Sequence, residues 1–597
     1  MCGIAGFLTK ENNFQKEKIL KNMINCITHR GPDQEGIFIK DNIFFGHKRL
    51  AIIDVQNGKQ PMSTYDNKLI IIYNGEIYNS DDIKKDLLKQ NLNLKTNCDT
   101  EIVLKSYLLW GNKCVNYLNG IFAFAILDLI NKKIFLARDR FGVKPLFYHF
   151  DKNNFVFASE IKSILKFPNI TTDIKKDDLR ELFAIGPSRT HGNAIFKDIS
   201  ELKPGYILEF DLSNHKIKFK KYFELKHQEH KENIYETAEH VRILLTKAIK
   251  RQLVSDVPVG YFLSGGLDSS IISAVASQEY KNIDTFSLDF LDNKKYFSKS
   301  LLQPENDEYY AKYMANYLNS NHHEIILSPK ELADNLEKSL VMRDLPGMAD
   351  VDSSLLKFCG EIKNYVTVAL SGECSDEIFG GYPWFYNKIY LDNKDNFPWI
   401  SQNRNDLFNI KLDLENYSRE KYLEEIKKIP ENPDDDTQDK FIKKLTFLDI
   451  NYFMANLLER KDRMSMANGL EVRVPYCDHE LVNYVFNIPW RYKFYNQQEK
   501  SILKLAFKKI IPEKILSRKK NPYPKTFHED YKNILVSLLD KKFKESSLFS
   551  EIINREKVFE FANKKLSYYG QLMSGTQVLA YFYQVALWFD IYKINIC

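Results

Sequence analysis

No stretch of this 597-residue chain stays apolar for the ~20 residues that a membrane-spanning helix needs. The longest apolar run, residues 121–127, lies between polar turns and reads as a buried strand. The start, Met1-Cys2-Gly3-Ile4-Ala5-Gly6-Phe7, has neither a basic segment nor a long apolar one, so it is not read as a secretory signal, and the expected setting is the cytoplasm with no membrane partner. The eight cysteines contain no Cys-x-x-Cys pair, which argues against a zinc site and a disulfide framework and leaves most of them as small buried hydrophobes. There is no basic block either: 85 Lys and Arg against 79 Asp and Glu give a net charge of +6 spread along the chain, which disfavours a nucleic-acid partner. Internal repeats and a Gly-x-x-x-x-Gly-Lys-Ser/Thr phosphate loop are both missing.

What is present is an ordinary globular composition, 44% apolar and 27% charged, over a length that predicts two to four domains. Up to Phe223 the pattern is of short β-rich runs between turn residues, at 69–73, 121–127, 133–137 and 155–158. Residues 224–233 then hold a single apolar side chain, Leu225, and helical periodicity begins at about Tyr235. A domain boundary is expected there, separating residues 2–225 from 235–597. In the second part strand-like runs at 257–263, 285–290 and 365–370 alternate with helical stretches, the signature of a parallel α/β sheet. Beyond about Phe441 the chain reads as mostly helical, and 429–436, rich in proline and acid, reads as an exposed loop.

If Met1 is removed, the Cys2 thiol lies beside a free α-amine of ordinary pKa about 7.7–8.0, which can act as its base. Gly3 lets the chain turn away and leave the thiol exposed. A cysteine at a frayed terminus would mean little by itself, but it is followed in order by His29-Arg30-Gly31-Pro32-Asp33, Arg49-Leu50-Ala51-Ile52-Ile53-Asp54, Tyr73-Asn74-Gly75-Glu76-Ile77-Tyr78-Asn79 and Asp99-Thr100-Glu101. Together these resemble the glutamine amidotransferase domain of the N-terminal-nucleophile class, over about 220 residues. The resemblance implies a four-layer αββα fold of α+β class and a glutamine pocket made by Arg49, Leu50, Ile52, Asn74, Gly75, Glu76 and Asp99. Asp99 would hold the substrate ammonium and Arg49 its carboxylate in a bidentate fork. Thiolate attack on the amide builds negative charge on oxygen, so the Asn74 amide and the Gly75 N–H would receive it. Ammonia leaves and a thioester at Cys2 remains to be hydrolysed.

The second constellation, Phe262-Leu263-Ser264-Gly265-Gly266-Leu267-Asp268-Ser269-Ser270, follows a strand and opens a helix, which sets hydroxyls and backbone N–H groups at a helix N-terminus, where anions bind. It resembles the loop of the ATP pyrophosphatases, which cleave ATP to AMP and pyrophosphate. A second acidic loop, Leu370-Ser371-Gly372-Glu373-Cys374-Ser375-Asp376, also follows a strand, and two such loops at the ends of parallel strands make a ligand crevice. Asp268 and Asp376 suit Mg²⁺, which takes hard oxygen ligands alongside substrate phosphates. The resemblance implies that Phe262, Ser264, Gly265, Gly266, Asp268, Ser269, Leu288, Ser371 and Gly372 contact ATP, that Glu373 lies near the activated acyl group, and that Lys500 stabilises charge on the phosphates.

With a third motif, Arg460-Lys461-Asp462-Arg463-Met464-Ser465-Met466-Ala467 through Glu471-Val472-Arg473-Val474-Pro475-Tyr476, the whole chain resembles the glutamine-hydrolysing asparagine synthetases. The resemblance implies glutamine, aspartate and ATP as substrates, an acyl-adenylate intermediate, and a water-poor passage for ammonia, because ammonium has no lone pair to attack with. It is compatible with a homodimer. An enzyme of the same build acting on another carboxylate is the alternative. Two departures matter. Cys374 stands where the family commonly has glycine, so the loop is expected to be reshaped unless the position has φ below zero. The segment 343–354 lacks the arginine that some members place there for the acceptor, and Arg343 is the substitute within it.

Overall fold

The structure is a computed structural model that describes residues 2–11, 15–296, 307–387, 395–400, 404–430, 435–570 and 573–597. Met1 and residues 431–434 of the loop expected at 429–436 lie outside the described residues.

Two six-stranded antiparallel sheets make up the first part. One runs in the order Ser200–Glu201, Phe147–Phe150, Asn154–Ala158, Cys2–Thr9, Ile43–Arg49, Gln34–Lys40; the other in the order Ile217–Lys221, Tyr206–Asp211, Lys133–Arg138, Gly120–Asp128, Leu69–Ile77, Met62–Ser63. Successive strand residues face opposite ways, and the cores follow that period. Ile4 and Leu8 of the first sheet pack with Ile70, Ile72 and Ala123 of the second. Ala5 and Phe7 instead face the helix Lys16–Asn25, and Ile71, Tyr73 and Phe122 face the helices Ser80–Lys89 and Asp99–Trp110. Hence helix, sheet, sheet and helix stack in four layers. Both faces of the central strands are buried, which is why 69–73 and 121–127 read as unbroken apolar runs rather than alternating ones.

Residues 224–233 carry neither helix nor strand. The helix Ile234–Gln252 starts where it does because Asn233 accepts from the Tyr235 and Glu236 N–H groups while Glu236 bonds back to the Asn233 N–H, a reciprocal capping box. Beyond it lies a parallel sheet in the order Asn321–Leu327, Asp284–Phe290, Val259–Phe262, Val368–Leu370, Glu471–Arg473. Two of these five strands escape the sequence reading. Asn321–Leu327 is a half-exposed edge strand that opens with polar residues, and Glu471–Arg473 is three residues long with charged ends.

From Val259–Phe262 the chain builds outward on one side and then crosses to the other at Val368–Leu370, so the order reverses between these two neighbours. A crevice at the carboxyl ends of the strands opens at such a point. The remainder is mostly helical, and Thr576–Tyr592 runs through its core. No helix among the described residues is long and apolar enough to cross a membrane. The last strand, Asn595–Ile596, pairs with Asp173–Ile174 and ties the C-terminus to the first part.

Candidate active sites

Cys2 has the same parity as Ile4 on its strand, and Asn74 the same as Ile70 and Ile72, so both side chains enter the space between the two sheets. There the Cys2 backbone nitrogen donates to Asn74 Oδ1 at 2.9 Å. That bond turns the amide so that its Nδ2, fully buried, has no partner among the described residues. An unpaired buried donor costs about 1–3 kcal/mol, a cost recovered when an oxyanion arrives. Asn74-Gly75 lies within the strand Leu69–Ile77, and a Cβ on Gly75 would stand 2.3 Å from the Ile121 carbonyl oxygen. Burial pushes the Cys2 thiol up, while a backbone hydrogen bond from Leu50 and the charge of Arg49 act against it.

The other expected pocket residues gather around this pair. Asp99, at the start of its helix, accepts from the Tyr73 hydroxyl at 2.7 Å and the Ile77 N–H at 3.2 Å, and burial raises its carboxyl. Glu76 is buried, which excludes a surface role; burial and Asp99 raise it strongly, and Arg473 of the parallel sheet stands 3.4 Å away. Arg49 is placed differently from a free fork. Its terminal nitrogens donate to Gln34 Oε1 and to the carbonyls of Ile53, Asp54 and Val55 at 2.8–3.2 Å, so a bidentate carboxylate has to displace some of these acceptors. Leu50 and Ile52 belong to a buried apolar cluster that also holds Leu263, Leu370, Cys374 and Val474 of the second part.

Between the two parts lies a seam of buried ions that sequence reasoning did not assign. Arg30 donates from Nε to the Cys2 carbonyl at 3.1 Å, from Nη1 to Glu160 at 2.9 Å, and lies 2.8 Å from Asp462 through Nη2. Lys144 reaches Asp462 at 2.8 Å, and Arg463 reaches Glu160 at 3.1 Å and Asp344 at 3.0 Å. Every one of these side chains is almost wholly buried, and removing one partner of such a pair typically costs 3–5 kcal/mol. The available signal was the presence of Arg30, Asp462 and Arg463 inside motifs matched for other reasons.

The second pocket is a cavity of about 230 Å³ at the reversal point of the parallel sheet. Phe262, Ser264, Gly266, Asp268, Ser269, Leu288, Ser371, Gly372, Glu373, Asp376 and Lys500 all line it. Gly265 does not. At φ +68 it makes the turn, and a Cβ there would meet the Tyr310 backbone at 2.3 Å, so its part is to let the loop approach the helix Glu308–Leu318. Ser264 and Ser269 hydroxyls lie 3.2 Å apart at the N-terminus of the helix Leu267–Glu279. Lys500 is no solvated surface lysine: it bridges Asp268 at 2.6 Å and Asp376 at 2.5 Å, and despite burial these carboxylates raise it. Burial opposes ionisation of Asp376, yet Lys500 and Lys520 hold its carboxyl below the usual range. Two carboxylates converging at this loop are a donor set of the hard-oxygen kind that fits Mg²⁺.

Cys374 has φ +75, so the loop keeps the left-handed turn that favours glycine, at a strain of the order of 1–3 kcal/mol, rather than relaxing to negative φ. Arg343 does not reach the cavity. It is consumed by Asp352 at 3.1 Å, Asn456 and Glu459. The cations beside Glu373 are instead Arg460 and Lys461, the latter at 3.2 Å, and both line the cavity. All eight cysteines are free thiols.

Residues 1–223 match the family of glutamine amidotransferase domains and residues 240–590 match asparagine synthase. The chain is 42% identical to asparagine synthetase [glutamine-hydrolyzing] 3 of Bacillus subtilis, with both chains covered in full. It is 32% identical to asparagine synthetase [glutamine-hydrolyzing] 1 of the same organism, over 89% of this chain and 88% of that one.

Proposed function

The chain belongs to the glutamine-hydrolysing asparagine synthetases, and from that membership we propose that it joins ammonia, released from glutamine at Cys2, to the side-chain carboxylate of aspartate while ATP is cleaved to AMP and pyrophosphate. The observation that carries this is the meeting of Ser264, Asp268, Glu373, Asp376 and Lys500 in one cavity, apart from a Cys2–Asn74 pair that can open an amide.

In the glutaminase unit, proposed as residues 2–225, the α-amine of Cys2 takes the thiol proton and the thiolate attacks the glutamine amide carbon. Asn74 Nδ2 and the Gly75 N–H receive the oxyanion, and Asp99 and Glu76 hold the substrate ammonium. The adduct collapses as the C–N bond breaks and the α-amine returns its proton to the departing ammonia, and water then hydrolyses the thioester to glutamate and the free thiol. In the synthetase unit, proposed as 235–597, the aspartate carboxylate oxygen attacks the α-phosphorus and the bond to pyrophosphate breaks. Lys500 neutralises charge on the phosphates, and Arg460 and Lys461 are the cations available to the acceptor's other carboxylate. Ammonia then attacks the acyl carbon, losing a proton to Glu373 as AMP departs; that the Glu373 Oε2 has no partner among the described residues supports this role. Asp268 and Asp376 would hold Mg²⁺, which when bound offsets the negative charge of the phosphate chain. The buried apolar cluster that holds Leu50 and Ile52 together with Leu263 and Leu370 supports a water-poor route between the pockets. A cytoplasmic setting belongs to the same reading.

With glutamine, ATP, magnesium and aspartate the protein should form asparagine, AMP and pyrophosphate in equal amounts. Cys2→Ala should lose synthesis from glutamine and keep synthesis from added ammonia. Production of ADP, or loss of both activities in the variant, would overturn the scheme.

A further inference from the structure

The nucleotide cavity has a second charged set away from Lys500. Asp289, Glu308 and Glu324 line it, with carboxylate oxygens within 4.8 Å of one another. Lysines already balance two of the three: Glu308 is met by Lys294 at 2.9 Å and Lys312 at 2.7 Å, and Glu324 by Lys312 at 3.0 Å. Asp289 is different, since among the described residues it pairs with no cation.

Asp289 directly follows Leu288 at the carboxyl end of the strand Asp284–Phe290. Its Oδ1 accepts from the Phe290 N–H at 2.8 Å and from Asn293 Nδ2 at 2.6 Å. Asn293 is itself more than nine-tenths buried and its Oδ1 has no partner among the described residues. Those two bonds set the plane of the carboxylate and leave Oδ2 without a donor among the described residues. Burial, with Glu308 and Glu324 beside it, raises the Asp289 carboxyl. A phosphate would worsen this crowding of negative charge, whereas a neutral hydrogen-bond donor relieves it. The phosphates belong with Ser264, Lys500 and the helix N-terminus, so the part of ATP left to meet Asp289 is the nucleoside, lying along the apolar walls Phe262, Leu288 and Phe358.

We propose that Asp289 is a specificity-determining residue that accepts a hydrogen bond from the nucleoside half of ATP, from a ribose hydroxyl or from the 6-amino group of adenine. This rests on the nucleotide reading of the cavity. The test compares kcat/KM for pyrophosphate release with ATP, 2′-deoxy-ATP, 3′-deoxy-ATP and ITP, in the native enzyme and in Asp289→Ala. A hydrogen bond to a charged group changes such a ratio by roughly 10- to 100-fold. The native enzyme should disfavour the analogue lacking the donor by that factor, and Asp289→Ala should lose the same factor with ATP while its value for that analogue stays unchanged. The identity of the analogue distinguishes sugar from base. An equal fall with all four nucleotides, or no fall, overturns the inference. If the native enzyme releases no pyrophosphate from ATP, it is the function proposed above that fails. Glutamine hydrolysis, measured alongside, reports that the variant is folded.

Discussion

Asn74 offers the sharpest test of the proposed glutaminase pocket, because the proposal gives one amide two roles through two atoms. Its Oδ1 accepts from the Cys2 nitrogen at 2.9 Å, which in the proposed reaction orients the basic amine of the processed chain; its Nδ2 is buried and has no partner among the described residues, and in the same proposal it meets the oxyanion. Asn74→Ala removes both. Losing one oxyanion donor costs about 2.7–4 kcal/mol, or 10²–10³ in kcat, and losing the orienting hydrogen bond adds about 0.5–1.5 kcal/mol. Asn74→Asp keeps the acceptor for the amine but sets a negative carboxylate oxygen where the donor stood. It should therefore be at least as slow as the alanine variant although it is nearly isosteric. The assay is glutamate release under saturating glutamine, paired with asparagine synthesis from added ammonia, which should stay within about twofold of native for both variants. Glutaminase activity within threefold of native for Asn74→Asp would refute the assignment of Nδ2, and an equal loss of the ammonia-dependent reaction would refute the separation of the pockets.

Asp268→Asn should stop AMP formation, since this carboxylate holds Lys500 at 2.6 Å and is one of the two magnesium candidates, while glutamine hydrolysis continues; parallel loss of both would mean the variant acts on the fold. Against the cost of burial, Arg189 and Arg343 hold Glu459 down from 4.5 to about 2. A depressed carboxyl contributes stability that is complete above the unfolded value and is lost as pH falls through the folded one, here about 3 kcal/mol between roughly pH 4.5 and 2. The gap in urea midpoint between the native protein and Glu459→Gln should be widest near pH 7 and narrow by pH 3; a gap independent of pH would contradict this.

Much of the architecture was legible in the chain. The apolar runs at 69–73 and 121–127 are strands because β-branched and aromatic residues there have no polar face to offer water, and helical structure resumes after 224–233 because Asn233 and Glu236 cap the helix that follows. The segments that come together were also readable, since Cys2 with Asn74, and Ser264 to Ser269 with Glu373 to Asp376, stand out as local sequence patterns, and the structure brings the first pair into contact and sets the second pair around one cavity.

What sequence could not decide is where charges meet across distance. Local order marks Lys500 as a residue on a helix edge, and only the fold sets it between Asp268 and Asp376. Segment 343–354 suggested Arg343 for the acceptor, whereas packing turns it onto Asp352 and Glu459 and brings Arg460 and Lys461 to Glu373 instead. Arg30 and Asp462, more than 400 positions apart, become a buried pair at 2.8 Å only because the sheets and helices close on each other. The physical reason is common to all three cases: a strand or helix is dictated by the periodicity of adjacent side chains, but an ion pair is dictated by which partner lies within reach when water is excluded, and that is a property of the assembled core.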